Sequence, residues 1–237
     1  MMGVRSVGIA TCLVAALSGC AIAPPPIPIH DDPAVLVAME YDPHAGAGHS
    51  HPAPISQVII TAVLRGLHVQ KRDVMGTLGL LGAEHGTPVF TDRALVDNVA
   101  SYLVGGLAKA SPRDLITFYA VQGDGHGLPV ITSGGVFRRG DHLYVILANG
   151  KISPSGLQYE MAYEPNTRSA PLVPIARLKY TAGFTPAEAR VATSEAKRAD
   201  QWRGYLDESL VVVVDLRRLA NSLLLPATGI PAVPPAP

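Results

Sequence analysis

Leu115-Ile-Thr-Phe-Tyr-Ala-Val121, Val130-Ile-Thr-Ser-Gly-Gly-Val-Phe137 and His142-Leu-Tyr-Val-Ile-Leu-Ala148 follow one another in mid-chain, the last two separated by Arg138-Arg-Gly-Asp141. Branched and aromatic residues at this length, bounded by turn formers, predict three strands, and the four-residue turn predicts a hairpin between the last two. A hairpin pairs its strands antiparallel, which sets the expected character of the sheet.

Working outward, Val35–Met39 and Val58–Leu64 are rich in branched residues and read as strands, with a helix over Ile55–Leu67 as the alternative. Val69–Gly86 is punctuated by glycine and ambiguous. Thr91-Asp92 opens a helix in which Leu95, Val99, Tyr102, Leu103, Leu107 and Ala110 recur at helical spacing. Gly105 and Gly106 weaken that helix, which points to close packing against a sheet.

Towards the C-terminus, Leu157, Tyr159, Met161 and Tyr163 alternate with Gln158, Glu160, Ala162 and Glu164, the pattern of a strand with one wet face. Ile175–Thr181 is a further candidate strand. Thr185-Pro-Ala-Glu188 has the form of a capping box and predicts a helix to about Leu206, with Val191, Ala199, Trp202 and Leu206 inward. Its Arg190, Lys197, Arg198 and Arg203 are interleaved with Glu188, Glu195 and Asp200, a solvated face of ion pairs. Leu210–Leu216 reads as a central strand, followed by a short helix to Leu225.

Two principal helices among six or more strands, with hairpin signals outnumbering strand-helix alternation, predict an α+β domain around a mainly antiparallel sheet. A β-sandwich with peripheral helices is the alternative, and the apolar stripes of the helices argue against it. The 237 residues include 23 glycines and 21 prolines, a composition that suits short strands and turns better than a bundle. The 19 basic and 19 acidic residues cancel, so there is no overall charge to attract nucleic acid, and none is expected as a partner.

The ends have a different composition. Val7–Leu17 is an apolar run preceded by Arg5, which reads as a signal peptide over residues 1–19 and is too short to span a bilayer. Ala23–Pro33 carries five prolines and predicts an extended spacer of roughly 30 Å, within a tether at residues 20–33 leading to a domain at 34–225. Residues 226–237 hold five prolines and no charge and read as a disordered tail; their Pro231-Ala-Val-Pro234 has the bare PxxP form.

Leu17-Ser18-Gly19-Cys20, directly after the apolar run, resembles the lipobox of bacterial lipoproteins. The resemblance covers the first twenty residues. It implies that Cys20 is acylated, becomes the new N-terminus and anchors the protein in a membrane, and Ala21 implies the outer membrane, facing the periplasm. Cys12 lies within the discarded segment, so no disulfide is expected. Several acyl chains, each contributing about 0.8 kcal/mol per buried CH2, would hold the protein stably.

Candidate chemistry is sparse. His44-Ala-Gly-Ala-Gly-His49-Ser-His51 gathers three imidazoles, preferred ligands of zinc and copper, with His30, His85 and His126 as further donors. Glu84-His85 and Asp124-Gly-His126 each set a carboxylate near an imidazole, as an acid-base pair needs. Ser133 and Ser155 follow no nucleophile-elbow pattern, and the glycines of Gly123-Asp-Gly125-His-Gly127 do not make a nucleotide fingerprint. The expectation is therefore a lipid-anchored, non-enzymatic binding or assembly factor for another envelope component. The alternative is a metal-binding protein or metal-dependent hydrolase using the histidine loop.

Overall fold

The computed structural model describes residues 23–71, 86–123, 125, 128–153, 160, 162–176, 180–192 and 208–224. The fold is α+β. Its main sheet has six strands: β1 (Ile27–Asp31), β2 (Val35–Tyr41), β5 (Asp114–Gly123), β6 (Pro129–Arg139), β7 (His142–Ile152) and β9 (Val211–Asp215). They lie in the order β1-β2-β5-β6-β7-β9, and every pair is antiparallel. A second sheet of three strands has the order β4-β3-β8, from Thr87–Pro88, Leu67–Lys71 and Tyr180–Phe184. The helices are α1 (Gln57–Gly66), α2 (Arg93–Leu107), the single turn α3 (Pro165–Arg168) and α4 (Leu216–Leu224).

The central hairpin forms as its sequence predicts. Arg139 faces His142 across the turn, where Gly140 takes a left-handed φ of +56°. Strands β5 to β7 are buried on both faces, which explains their nearly unbroken apolar sequence. One face carries the main core: Ile116, Phe118, Val136, Val145 and Leu147 pack with residues of α1, α2 and the small sheet. The opposite face carries Tyr119, Ile131, Phe137, Tyr144 and Ile146, against which Ala162, Leu172 and Val191 pack.

Helix α2 starts where expected, because the Asp92 carboxylate accepts from the backbone N–H groups of Ala94 and Leu95 at 2.8 and 3.2 Å. Its buried Leu95, Val99, Leu103 and Leu107 lie on the sheet. Gly106 is the glycine that allows close approach, since a Cβ there would lie 2.5 Å from Ile29 Cδ1; at Gly105 it would meet open space.

Several local expectations are overturned. Val58–Leu64 is not a strand but helical, the alternative reading of this stretch, within α1, and Ile60, Val63 and Leu64 are its buried face; Ser56 caps it by accepting from the Ile59 N–H at 3.4 Å. Tertiary burial of one face here outweighs the strand preference of branched residues. Within the proline-rich spacer, Ile27–Asp31 is extended as expected but paired, as β1, with β2. Of the alternating segment 157–163, the described Glu160, Ala162 and Tyr163 lie in 3-10 turns, not in a strand. The strand sought at Ile175–Thr181 instead begins at Tyr180.

The capping box at Thr185 does not launch a long helix. A single 3-10 turn, Ala187–Ala189, forms without a side-chain cap, and the chain then turns extended at Arg190. Arg190 bridges Val214, and the Val191 N–H donates to Val213 O at 2.9 Å. That contact covers the outer edge of β9, which is last in the sheet order although its sequence reads as a central strand. The second principal helix is thus α1. Residues 193–207, the remainder of the expected helix, lie outside the described residues, as do the signal segment with Cys20 and the tail.

Candidate functional site

The histidine loop folds over one end of the main sheet. Gly46 and Gly48 adopt left-handed φ of +59° and +98°, so the loop turns back on itself, and a Cβ at Gly48 would crowd Pro112 at 3.2 Å. This brings His49 and His51 together with ring centroids 5.5 Å apart. His44 stays exposed, and its backbone N–H donates to Asp42 Oδ1 at 2.6 Å.

His49 Nε2 lies 2.7 Å from Asp42 Oδ2, and both side chains are essentially excluded from water. On the other side of the ring, Arg139 Nε donates to His49 Nδ1 at 3.4 Å. Those two contacts set the tautomer: Nδ1 accepts, so Nε2–H donates to Asp42. The ring leans on Phe137 with centroids 4.2 Å apart, and the Arg139 guanidinium sits 5.4 Å from the centre of the same ring. Burial lowers the Arg139 pKa.

His51 is engaged at one ring nitrogen, and its buried Nδ1 has no hydrogen-bond partner among the described residues. Its Nε2 accepts from the Arg138 backbone N–H at 3.1 Å. Burial, reinforced by the neighbouring His49, brings its pKa down to about 4, so the ring is neutral at pH 7. Ser50 completes the attachment by donating its N–H to Arg138 O at 2.7 Å and accepting from the Gly140 N–H at 2.9 Å. The loop is therefore stapled to the β6–β7 hairpin. Asp42 and Arg139, the residues that organise the histidines, are ones that sequence reasoning missed.

Among the described residues, no group of three or more His, Cys, Asp or Glu side chains is placed to hold a metal ion. His30 is engaged elsewhere, 2.6 Å from Asp32 and stacked on Tyr102 with ring centroids 3.8 Å apart. His85, His126, Glu84, Asp124 and Ser155 lie outside the described residues. Ser133 is fully buried: its Oγ donates to Pro171 O at 2.7 Å and accepts from Asn149 Nδ2 at 2.8 Å. Asn149 Oδ1 accepts from the Ile175 N–H at 2.9 Å, so the Ser133–Asn149 pair holds the 171–175 loop to the sheet.

A different surface is open. Between α1 and α4 runs a groove of about 720 Å³ whose lining includes the apolar Val58, Ala62, Pro186, Leu219 and Leu223 and the ion pair of Arg65 and Asp97. Val58 is 68 % and Leu223 47 % exposed, although both belong to helices that bury other apolar residues in the core. Along the same groove α1 is tied to α2, where Gln57 Nε2 donates to Asp97 O at 3.2 Å and Arg65 donates to Asp97 Oδ1 at 3.1 Å. Gly66 lets α1 end tightly against β8, since a Cβ there would lie 2.3 Å from Thr185 O. The volume is that of a small-ligand site. Its sequence signal is Leu219 and Leu223, four residues apart in the short last helix.

Among the described residues, no helix is long and apolar enough to cross a membrane. Comparison with known proteins finds no match to this chain, either among protein families, among curated proteins or among solved structures.

Proposed function

We propose that this chain is a lipid-anchored protein of the bacterial envelope, tethered through Cys20 to the periplasmic face of the outer membrane. Its α+β domain acts as a non-enzymatic binding or assembly module for another envelope component. The anchor rests on the lipobox-like Leu17-Ser18-Gly19-Cys20 after an apolar run.

The observation that carries the binding role is the contrast between two surfaces. The polar residues that invited a chemical reading, His49, His51 and Ser133, are buried and hydrogen-bonded to their own fold. The groove between α1 and α4 instead presents Val58 and Leu223 to solvent. Exposed apolar side chains gathered along a concavity are the usual mark of a binding surface.

Metabolic labelling with a radioactive fatty acid tests the anchor. The wild-type chain is expected to take up label and sediment with membranes, while Cys20→Ala loses both properties. Undiminished labelling of Cys20→Ala would overturn the assignment.

A further inference from the structure

The chain enters the main sheet at a definite place. Pairing of Ile27–Asp31 as β1 puts Ile27 seven residues after Cys20, a reach of at most about 25 Å in any conformation. The register carries Ile27 across to Met39, Ile116, Val136, Val145 and Val212. Strand β1 therefore starts at the same end of the sheet as β5 and β7, and that end also holds the β6–β7 turn, the turn from α2 into β5 and the start of α4. Ile27 itself is 59 % exposed there.

The charges of this end are unevenly paired. Asp141 is shared between Arg138 and Arg217, and Asp215 is taken by Arg218. Asp114 accepts from the Ser111 N–H at 2.8 Å. Below the surface, Arg139 is set against Asp42 through His49, and Glu40 keeps one oxygen buried. Lys109 and Arg113 are exposed, and neither is in an ion pair among the described residues. Arg113 Nη1 donates instead to the neutral Tyr41 hydroxyl, at 3.2 Å. At the surface five cations thus face three carboxylates. The far end, with Asp31, Asp32, Arg168 and Lys151, has no such surplus.

We infer that this end of the main sheet rests on the anionic lipid surface in which the tether is anchored, with headgroup phosphates at Lys109 and Arg113. This rests on the reading of Cys20 as the anchor and adds an orientation to it. Two independent observations meet here: the place where the tether enters the fold, and the surplus of positive charge at that place. Each cation beside an anionic membrane favours the docked state by about 5-fold. So small a surplus does not hold a free protein, but a tether makes docking an intramolecular step, for which a weak patch suffices.

The test uses the full chain, purified from membranes with its own anchor and reconstituted into vesicles of phosphatidylcholine, alone or mixed equally with phosphatidylglycerol. A fluorophore is placed on Ala47→Cys, in the loop at the docking end, or on Ala34→Cys, at the far end; both positions are exposed. A nitroxide on the lipid headgroups quenches whichever label lies near the surface. In the mixed vesicles the label at position 47 is expected to be quenched more than the label at position 34. That excess should shrink in phosphatidylcholine alone and at about 1 M salt, where the screening length is about 3 Å. Lys109→Gln combined with Arg113→Gln should lower the ratio of docked to undocked protein about 25-fold. Equal quenching at the two positions, or an excess unchanged by salt and by the double variant, would overturn the docking. Flotation of the same vesicles separates it from the anchor: protein that floats with equal quenching refutes the docking alone, while protein that does not float removes both.

Discussion

His49 donates through Nε2 to Asp42 Oδ2 at 2.7 Å in a place that water does not reach, and Arg139 closes the other side of the imidazole. The loop that sequence reading marks for metal chemistry is thereby part of the architecture. A hydrogen bond to a buried charged group contributes about 1.5 to 3 kcal/mol, and removing one partner strands the other. Asp42→Ala should therefore lower the unfolding free energy by roughly 2 to 4 kcal/mol. Urea denaturation measures it, and a change below about 0.5 kcal/mol would show that the pair is not structural.

Stability should fall in mild acid because of His51. Its folded pKa, about 4, lies below its ordinary value of 6.5, with burial the main cause and His49 the next; Asp114 acts in the opposite sense. The unfolded chain therefore binds the proton more readily than the native one. The stabilising contribution is complete above pH 6.5 and is lost as the pH falls from 6.5 towards 4. His51→Gln keeps an acceptor for the Arg138 N–H and removes the titration, so its stability profile should be flatter over that window. Parallel profiles for the two proteins would refute the assignment.

Glu40 works in the opposite direction. Burial raises its pKa above 4.5, opposed by a hydrogen bond from Thr117 and aided less by Asp42, and Oε2 is buried without a hydrogen-bond partner. The fold thus disfavours the ionised form of this carboxyl. Glu40→Gln should raise the melting temperature at pH 7, and the gain should shrink as the pH falls, vanishing below 4.5 where the acid is protonated in both states. A gain independent of pH would point to packing instead of charge.

Gly134 sits where β6 and β7 shift register, and a Cβ there would lie 1.9 Å from Ile146 O. The obstacle is backbone, so no side-chain rotation relieves it. Gly134→Ala should cost about 1 to 3 kcal/mol or more, whereas Gly105→Ala, with open space at its Cβ, should be neutral or stabilising. Thermal unfolding of the two variants side by side checks the contrast.

The parts of the fold that could be read from sequence are those fixed by local pattern. The β6–β7 hairpin and α2 carry their own turn, cap and period. The segments that misled are those where distant contacts decide. Thr185 has the residues of a capping box, but its backbone N–H donates to Gly66 O at 3.0 Å, and Arg190 is drawn into a bridge with Val214. The strand-like Val58–Leu64 becomes a helix because Ile60, Val63 and Leu64 fill the main core together. The candidate sites were legible only as composition. Three histidines in eight residues are visible in the sequence, but Arg139 is contributed by another hairpin. The groove joins α1 near the start of the domain to α4 at its end, and no local motif records such a meeting.

The central claim is that an anchored domain binds an envelope component through the α1–α4 groove. The most direct measurement extracts the full-length chain from cell membranes in detergent-free polymer discs and quantifies co-purifying lipids and proteins by mass spectrometry. Wild type, Val58→Asp with Leu223→Asp, and His51→Gln should be compared. The account predicts one component near one-to-one with the wild type, retained by His51→Gln and lost from the groove variant. The same component at the same level in all three, or none in the wild type, would contradict it.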